Sequence, residues 1–301
     1  MSEHTSDLLV YVNGQLFPRR EARVSVFDAS FQSGDAVWEG LRVYHGRVFQ
    51  LNAHLARLFD SAKALAITLP LSRQQLAEAL FATLRANNLD HDTHIRLMVT
   101  RGERKTSGMD PRNADGPATV VIIAERKPPL FDKRGVRLTT SSVRRPAPDA
   151  LDSRIHHANQ LNNILAKIEA NRAGVDDAIM LDQRGFVAET NSMNLFIVKE
   201  GVIITPPTEA CLAGITRALV LREARTAGLS AIERHISLLE VHTADEVFLT
   251  GTVAEIVPAI EVDGRTIGDG MPGPTTLRVT ALYHHLTSTL GEPIPAALPL
   301  T

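Results

Sequence analysis

The residues of this sequence that could do chemistry are two adjacent histidines, one well-placed glutamate, three arginines and two glycine-containing turns. His156 and His157 stand together in RIHHANQ, just ahead of a helical run. Imidazole has an unperturbed pKa of about 6.5, so a histidine here could take and return a proton. The stretch Leu212-Ala213-Gly214-Ile215-Thr216-Arg217 places a glycine and two amides, those of Ile215 and Thr216, at a helix start. Unsatisfied N–H groups and the helix dipole make that a natural anion site, though an ordinary capped helix start has the same look. Thr250-Gly251-Thr252-Val253-Ala254-Glu255 ends a strand in a hydroxyl-rich turn, a second place for phosphate or carboxylate donors. Arg57 offers a planar fork that suits phosphate, although an arginine on an amphipathic helix is ordinarily a solvated charge. Arg96, with Arg101 on the loop that follows, could meet a carboxylate. Glu189 in FVAETN reads, on pattern alone, as a hairpin surface charge, and Trp38 in AVWEGLR as core.

These residues need elements to hold them. Leu8–Val12 reads as a strand closed by an Asn13-Gly14 turn, since both residues tolerate positive φ. Gly40–Tyr44 and Arg47–Leu51 read as a second hairpin around His45-Gly46. Helix is expected over His54–Ala66, and again from a Ser72/Gln75 capping box to about Ala86. Strands follow at His94–Thr100 and Ala118–Glu125, then a linker at Arg126–Lys133. Beyond it come strand Val136–Ser141 and a helix with Leu161, Ile164, Leu165 and Ile168 on one face, the stripe expected to be its buried side. Strand Asp177–Leu181 is followed by a hairpin through Phe186–Glu189 and Asn194–Val198. Helix Ile215–Ala227 ends at Gly228, and strand Glu246–Thr250, hairpin Glu261–Ile267 and helix Thr275–Leu290 complete the chain. The class is α+β, with a small domain over 1–128 and a larger one over 129–301 that opens on linker residues 129–135.

Composition excludes several functions. The 301 residues are 44% hydrophobic and 22% charged, ordinary for a globular chain with a real core. Thirty-two basic against 34 acidic residues give no bias toward nucleic acid or an anionic membrane. A single cysteine, Cys211, allows no internal disulfide and suits a reducing compartment. The start lacks a basic segment followed by an apolar run, so no secretion signal is expected, and the apolar runs are strand length. A cytoplasmic protein without a metal site is the expectation.

With AGVDDAIMLDQRGFVAETNSMNLFIV behind it, the segment LDSRIHHANQLNNILAKIEANR resembles the class IV, pyridoxal-phosphate-dependent aminotransferases, nearest to the branched-chain type. The resemblance covers about residues 8–290 and implies their two-domain fold type IV (D-amino-acid-aminotransferase-like) and a homodimer or higher homo-oligomer. It implies pyridoxal or pyridoxamine phosphate held by Arg57, Gly214, Ile215, Thr216, Gly251 and Thr252. Glu189 would lie beside the pyridine nitrogen and keep it protonated, so the ring can act as an electron sink. Trp38, Gly40, Arg96, Val253 and Ala254 would meet an amino acid or 2-oxo acid. One position departs from the family. The lysine that carries the cofactor as a Schiff base should stand three or four residues before Asn159, where this chain has His156 and Ile155. Imidazole cannot form a stable imine but can shuttle a proton. Lys167, eight residues past Asn159 and roughly 12 Å along a helix, is no simple substitute. Gln160 also replaces a tyrosine that bonds the cofactor's phenolic oxygen. The implied function is an aminotransferase-like enzyme with non-covalent cofactor and His156 as acid and base. A cofactor-binding relative without turnover, an engineered Lys→His substitution and an aminodeoxychorismate-lyase-like enzyme stay open.

Overall fold

The computed structural model describes residues 8–128, 131 and 134–296. Most of the expected linker (Pro129, Leu130, Asp132, Lys133), the first seven residues and the end of the proline-rich tail lie outside the described residues. The chain divides into two compact units. One takes the chain to Pro128, Ile155–Asn159 and the chain from Thr287; the other runs to Arg154 and over Gln160–Leu286.

The first unit is a seven-stranded sheet covered by two helices. Its elements are β1 Leu9–Val12, β2 Gln15–Pro18, α1 Ala29–Ser33, β3 Ala36–Tyr44, β4 Arg47–Val48, α2 Leu51–Ala64, α3 Arg73–Ala86, β5 Thr93–Thr100 and β6 Val120–Arg126. The sheet order is β4-β3-β5-β6-β1-β2, with a two-residue strand at Glu292–Pro293 on the β4 edge. Both expected hairpin turns form, with φ of 47° at Asn13 and 48° at His45. Both bonds of the Ser72/Gln75 capping box are present. β3 sends Val37, Leu41 and Val43 to the covered face, where they meet Leu55, Leu58 and Ala62 of α2 and Leu76, Leu80 and Leu84 of α3. The helix expected from His54 starts earlier, at Leu51, and the β3 strand starts at Ala36 rather than Gly40.

The second unit carries β7 Val136–Thr140, α4 Pro148–Leu151, α5 Leu161–Ala173, β8 Asp177–Leu181, β9 Val187–Thr190, β10 Asn194–Lys199, β11 Val202–Thr205, α6 Ile215–Thr226, β12 Ala231–Glu233, α7 Leu238–His242, β13 Glu246–Gly251, β14 Glu255–Val262, β15 Arg265–Thr266 and α8 Pro274–Thr289. Its sheet runs β12-β11-β10-β13-β14-β7-β8-β9, with β15 paired to β14. The pairs β7–β8, β7–β14 and β11–β12 are parallel. Helix α5 reverses its expected orientation. Its buried residues are Ala166 and Ala170, which pack on Ala178 and Met180 of β8, while Leu161 (66% exposed), Ile164, Leu165 and Ile168 face outward. Small alanines let the helix lie close on the strand. The bulky stripe is left unburied.

Candidate active site

In the first unit the chemistry gathers around a glutamate that the sequence pattern did not single out. Glu39 shares the covered face of β3 with Val37 and Leu41, and is fully buried there. Opposite it, α2 presents His54, Arg57 and Ser61, spaced to share one helix face. Arg57 donates from Nε to Glu39 Oε1 (2.8 Å) and from Nη2 to Oε2 (2.7 Å), a bidentate pair. His54 Nδ1 lies 2.7 Å from Oε2, and His156 Nδ1 lies 3.3 Å from Oε1. Burial alone would raise the Glu39 carboxyl. The hydrogen bond from Arg57, and the charges of His156 and Arg57, overcome this and hold it well below the usual carboxylate range. Burial pushes both imidazoles the other way, below their ordinary value, against the pull of Glu39.

His156 reaches this cluster because residues 155–159 lie along the open edge of β3. Trp38 N donates to His156 O (3.0 Å), Ala158 N to Ala36 O (2.8 Å), and the Trp38 indole to His157 O (3.2 Å). His156 N donates to Ser61 Oγ at 3.0 Å. The histidine is thus pinned by backbone on both sides, and its ring centroid lies 4.2 Å from that of Trp38. Arg96, across the register from Gly40, places its guanidinium 4.1 Å from the Trp38 ring centroid. Among the described residues the Arg96 side chain has no hydrogen bond or acidic partner, so a half-buried cation stands ready for a carboxylate. A Cβ at Gly40 would sit 3.3 Å from His94 Nε2, a tight approach that the imidazole would have to yield to. Arg101, by contrast, is committed. It donates to both carboxylate oxygens of Asp35 and to the carbonyls of Leu65 and Ala66, which corrects its reading as a carboxylate site.

In the second unit Glu189 sits on β9, buried rather than at a hairpin surface. Its Oε2 accepts from Leu212 N and Asn194 Nδ2, both at 3.3 Å, and its Oε1 lies 3.1 Å from Arg145 Nε. Burial outweighs Arg145 and pushes the carboxyl up to about 7. Arg145, buried and bonded also to Asn162 and Asn163, was missed in the sequence because RRP resembles loop punctuation. Asn194 pairs with Thr250 across β10 and β13, donates to Leu212 O (3.0 Å), and lies against Gly214. A Cβ on Gly214 would fall 1.9 Å from Asn194 Oδ1, so any larger residue would have to displace that amide. Gly214 caps α6 with no side chain, and the amides of Ile215 and Thr216 have no partner among the described residues. The buried hydroxyl of Thr250, leading into Gly251 and the turn of Thr252, Val253 and Ala254, also lacks a partner. Unpaired donors at a 12-residue helix start, brought by Asn194 beside a hydroxyl-bearing turn, suit a phosphate, and the buried carboxylate suits a protonated ring nitrogen. The residues of this unit fit pyridoxal phosphate.

Among the described residues no lysine bonds to the Glu39–His156 cluster. Lys167 donates to the Asp176 carbonyl, Lys199 pairs with Asp245, and Lys63 and Lys105 are solvent-exposed. Among the described residues no His/Cys/Asp/Glu group could hold a metal, and no helix is long and apolar enough to cross a membrane.

Comparison with known proteins defines the class. The family model for amino-transferase class IV matches residues 36–262, and the chain belongs to that family, with its fold type IV, α+β architecture. It is 52% identical over 289 residues to branched-chain-amino-acid aminotransferase-like protein 2 of Arabidopsis thaliana, covering 96% of this chain and 52% of that protein. The chain thus spans about half the length of that relative. The putative branched-chain-amino-acid aminotransferase of Methanocaldococcus jannaschii is 44% identical, over 94% of this chain and 97% of its own. The T.th. branched-chain amino acid aminotransferase, solved with pyridoxamine 5'-phosphate, superposes with a TM-score of 0.88 at 35% identity, covering 93% and 94% of the two chains.

Proposed function

We propose that this chain binds pyridoxal or pyridoxamine phosphate non-covalently and transfers an amino group between an amino acid of the branched-chain type and a 2-oxo acid. The observation that carries the reading is the pairing of an intact donor set for the cofactor with a pinned, carboxylate-bound imidazole at the position of the family's lysine. When bound, the cofactor supplies an electron sink for the bond to the substrate's α-hydrogen. Ile215, Thr216, Gly251 and Thr252 hold its phosphate, and Glu189 sustains the charge on its ring nitrogen. Arg96 takes the substrate carboxylate, and Trp38 beside Gly40 walls the side chain. His156 takes the α-proton and returns it at the far side of the transfer. His156→Lys should allow borohydride to fix the cofactor covalently, whereas the natural chain should resist fixation while its absorption band still converts to the pyridoxamine form with L-amino acids. A labelled lysine in the natural chain, or a cofactor band that no amino acid changes, would sink the reading; the second result would mark a binding protein without turnover.

The same reading includes a homo-oligomer. Four large apolar side chains of α5 stand in solvent on one face, which a second copy of the chain would cover. A cytoplasmic location accords with the single buried cysteine.

A further inference from the structure

We propose that Glu39 is the positioning residue of this site: it fixes the tautomer of His156 so that Nε2 is the basic nitrogen, and it stabilises the imidazolium when that nitrogen takes a proton. The inference rests on the reading of His156 as the acid and base.

The argument is one of counting lone pairs. An ionised carboxylate accepts about four hydrogen bonds. Glu39 has four donors around it: Arg57 Nε and His156 on Oε1, and Arg57 Nη2 and His54 on Oε2. If His156 carried its proton on Nε2, the Nδ1 lone pair would face the Oε1 lone pairs at 3.3 Å inside a buried site, an uncompensated repulsion. Arg57 Nη2 also lies 3.5 Å from His156 Nδ1 and has a second N–H it could donate there, but that contact is the longer of the two, and an Nδ1–H donated to the ionised Oε1 at 3.3 Å is the charge-assisted bond, which favours the Nδ1–H tautomer. His156 Nε2 has no hydrogen-bond partner among the described residues, and the side chain keeps 11% of its surface open. The basic nitrogen is therefore the accessible one.

The proton balance is simple. Nε2 takes the α-hydrogen as a proton, leaving the electron pair with the substrate. Both ring nitrogens then carry hydrogen, and the Nδ1–H remains on Glu39. Returning the proton restores the neutral ring. The charged groups that face His156 are Glu39 from β3, and Arg57 and His54 from α2. The two from α2 disfavour the imidazolium, so Glu39 supplies the opposing attraction, with its pull acting against burial.

The test uses the full chain labelled with 15N in histidine, with signals of His156 assigned by their loss in His156→Gln. The expected spectrum at pH 7 shows Nδ1 protonated and Nε2 bare. Glu39→Gln should lower the titration midpoint of His156 by at least about one pH unit, about tenfold in proton affinity, or leave the ring neutral throughout the folded range. In the amino-acid half-reaction the same variant should move the acidic limb of the kcat profile by that shift, with KM changed less than about threefold. An Nε2–H tautomer in the natural chain overturns the proposal, as does an unchanged midpoint in Glu39→Gln. Should Glu39→Gln fail to fold, the tautomer of the natural chain still decides. A chain with the expected tautomer and shift but no half-reaction sustains the role of Glu39 while overturning the proposed transamination.

Discussion

Replacing Gly214 with alanine puts a single methyl where the candidate phosphate site is most tightly built. The backbone there is ordinary, with φ −64° and ψ 132°, so an L-residue meets no conformational strain. The obstacle is steric. The new Cβ would lie 1.9 Å from Asn194 Oδ1, far inside van der Waals contact, and the Asn194 amide group is held by Leu212 O and Glu189. Overpacking of this kind costs about 1–3 kcal/mol. Swinging the amide away forfeits a buried hydrogen bond of about 1 kcal/mol. Gly214→Ala should therefore lose about 2–4 kcal/mol, measured by chemical denaturation, and bind pyridoxamine phosphate at least tenfold more weakly. Asn194→Ala removes the obstruction, so the double variant separates the collision from any other effect. Its cost should fall short of the sum of the single costs by about 1–3 kcal/mol, the sign of two residues competing for one space. Additive costs, or a Gly214→Ala variant as stable as the parent, would refute the packing argument.

Acid should destabilise the cofactor-free chain through its buried neutral imidazoles. His54, His94 and His156 all have folded values below the ordinary one, His94 at about 4 through burial and the cations Lys127, Arg42 and Arg96. The unfolded chain takes up protons first, so stability falls from about pH 6.5 downward, for His94 alone by up to about 3 kcal/mol on reaching pH 4. His94→Gln should flatten that decline in a series of unfolding curves from pH 7 to pH 4. Thr250→Val removes a buried hydroxyl that has no partner, so its thermal midpoint without cofactor should hold or rise by up to about 2 kcal/mol in stability. Leu161→Glu with Leu165→Glu, on the exposed face of α5, should shift sedimentation from oligomer to monomer while circular dichroism stays unchanged.

The elements that needed only neighbours in the chain were legible in advance. Asn13-Gly14 and His45-Gly46 turned where positive φ was available, and Ser72 with Gln75 opened α3. Leu55, Leu58 and Ala62, set at helical spacing, lie on the covered face of α2, with Phe59 and Leu65 only partly buried beside them. Family wording around Asn159 exposed the missing lysine, a property of residue order alone.

What escaped the sequence depended on contacts from remote parts of the chain. Glu39 lay just outside the strand expected from Gly40 and carried no signal of its own. Its meaning came only when α2 and residues 155–159 delivered four donors to one carboxylate. Arg101 and Arg96 looked alike as candidates until Asp35 claimed the first while the second lay over the Trp38 ring. The α5 stripe shows the limit most plainly. Periodicity tells which residues share a face, but whether that face is covered is set by the surface brought against it, and β8 took the alanine side. Residue types and spacing determined the local turns, the helices, the family and its missing lysine; tertiary packing alone decided which charges are satisfied, which groups surround His156, and which apolar face of α5 stays exposed, because each depends on groups distant in the chain meeting within a few ångströms.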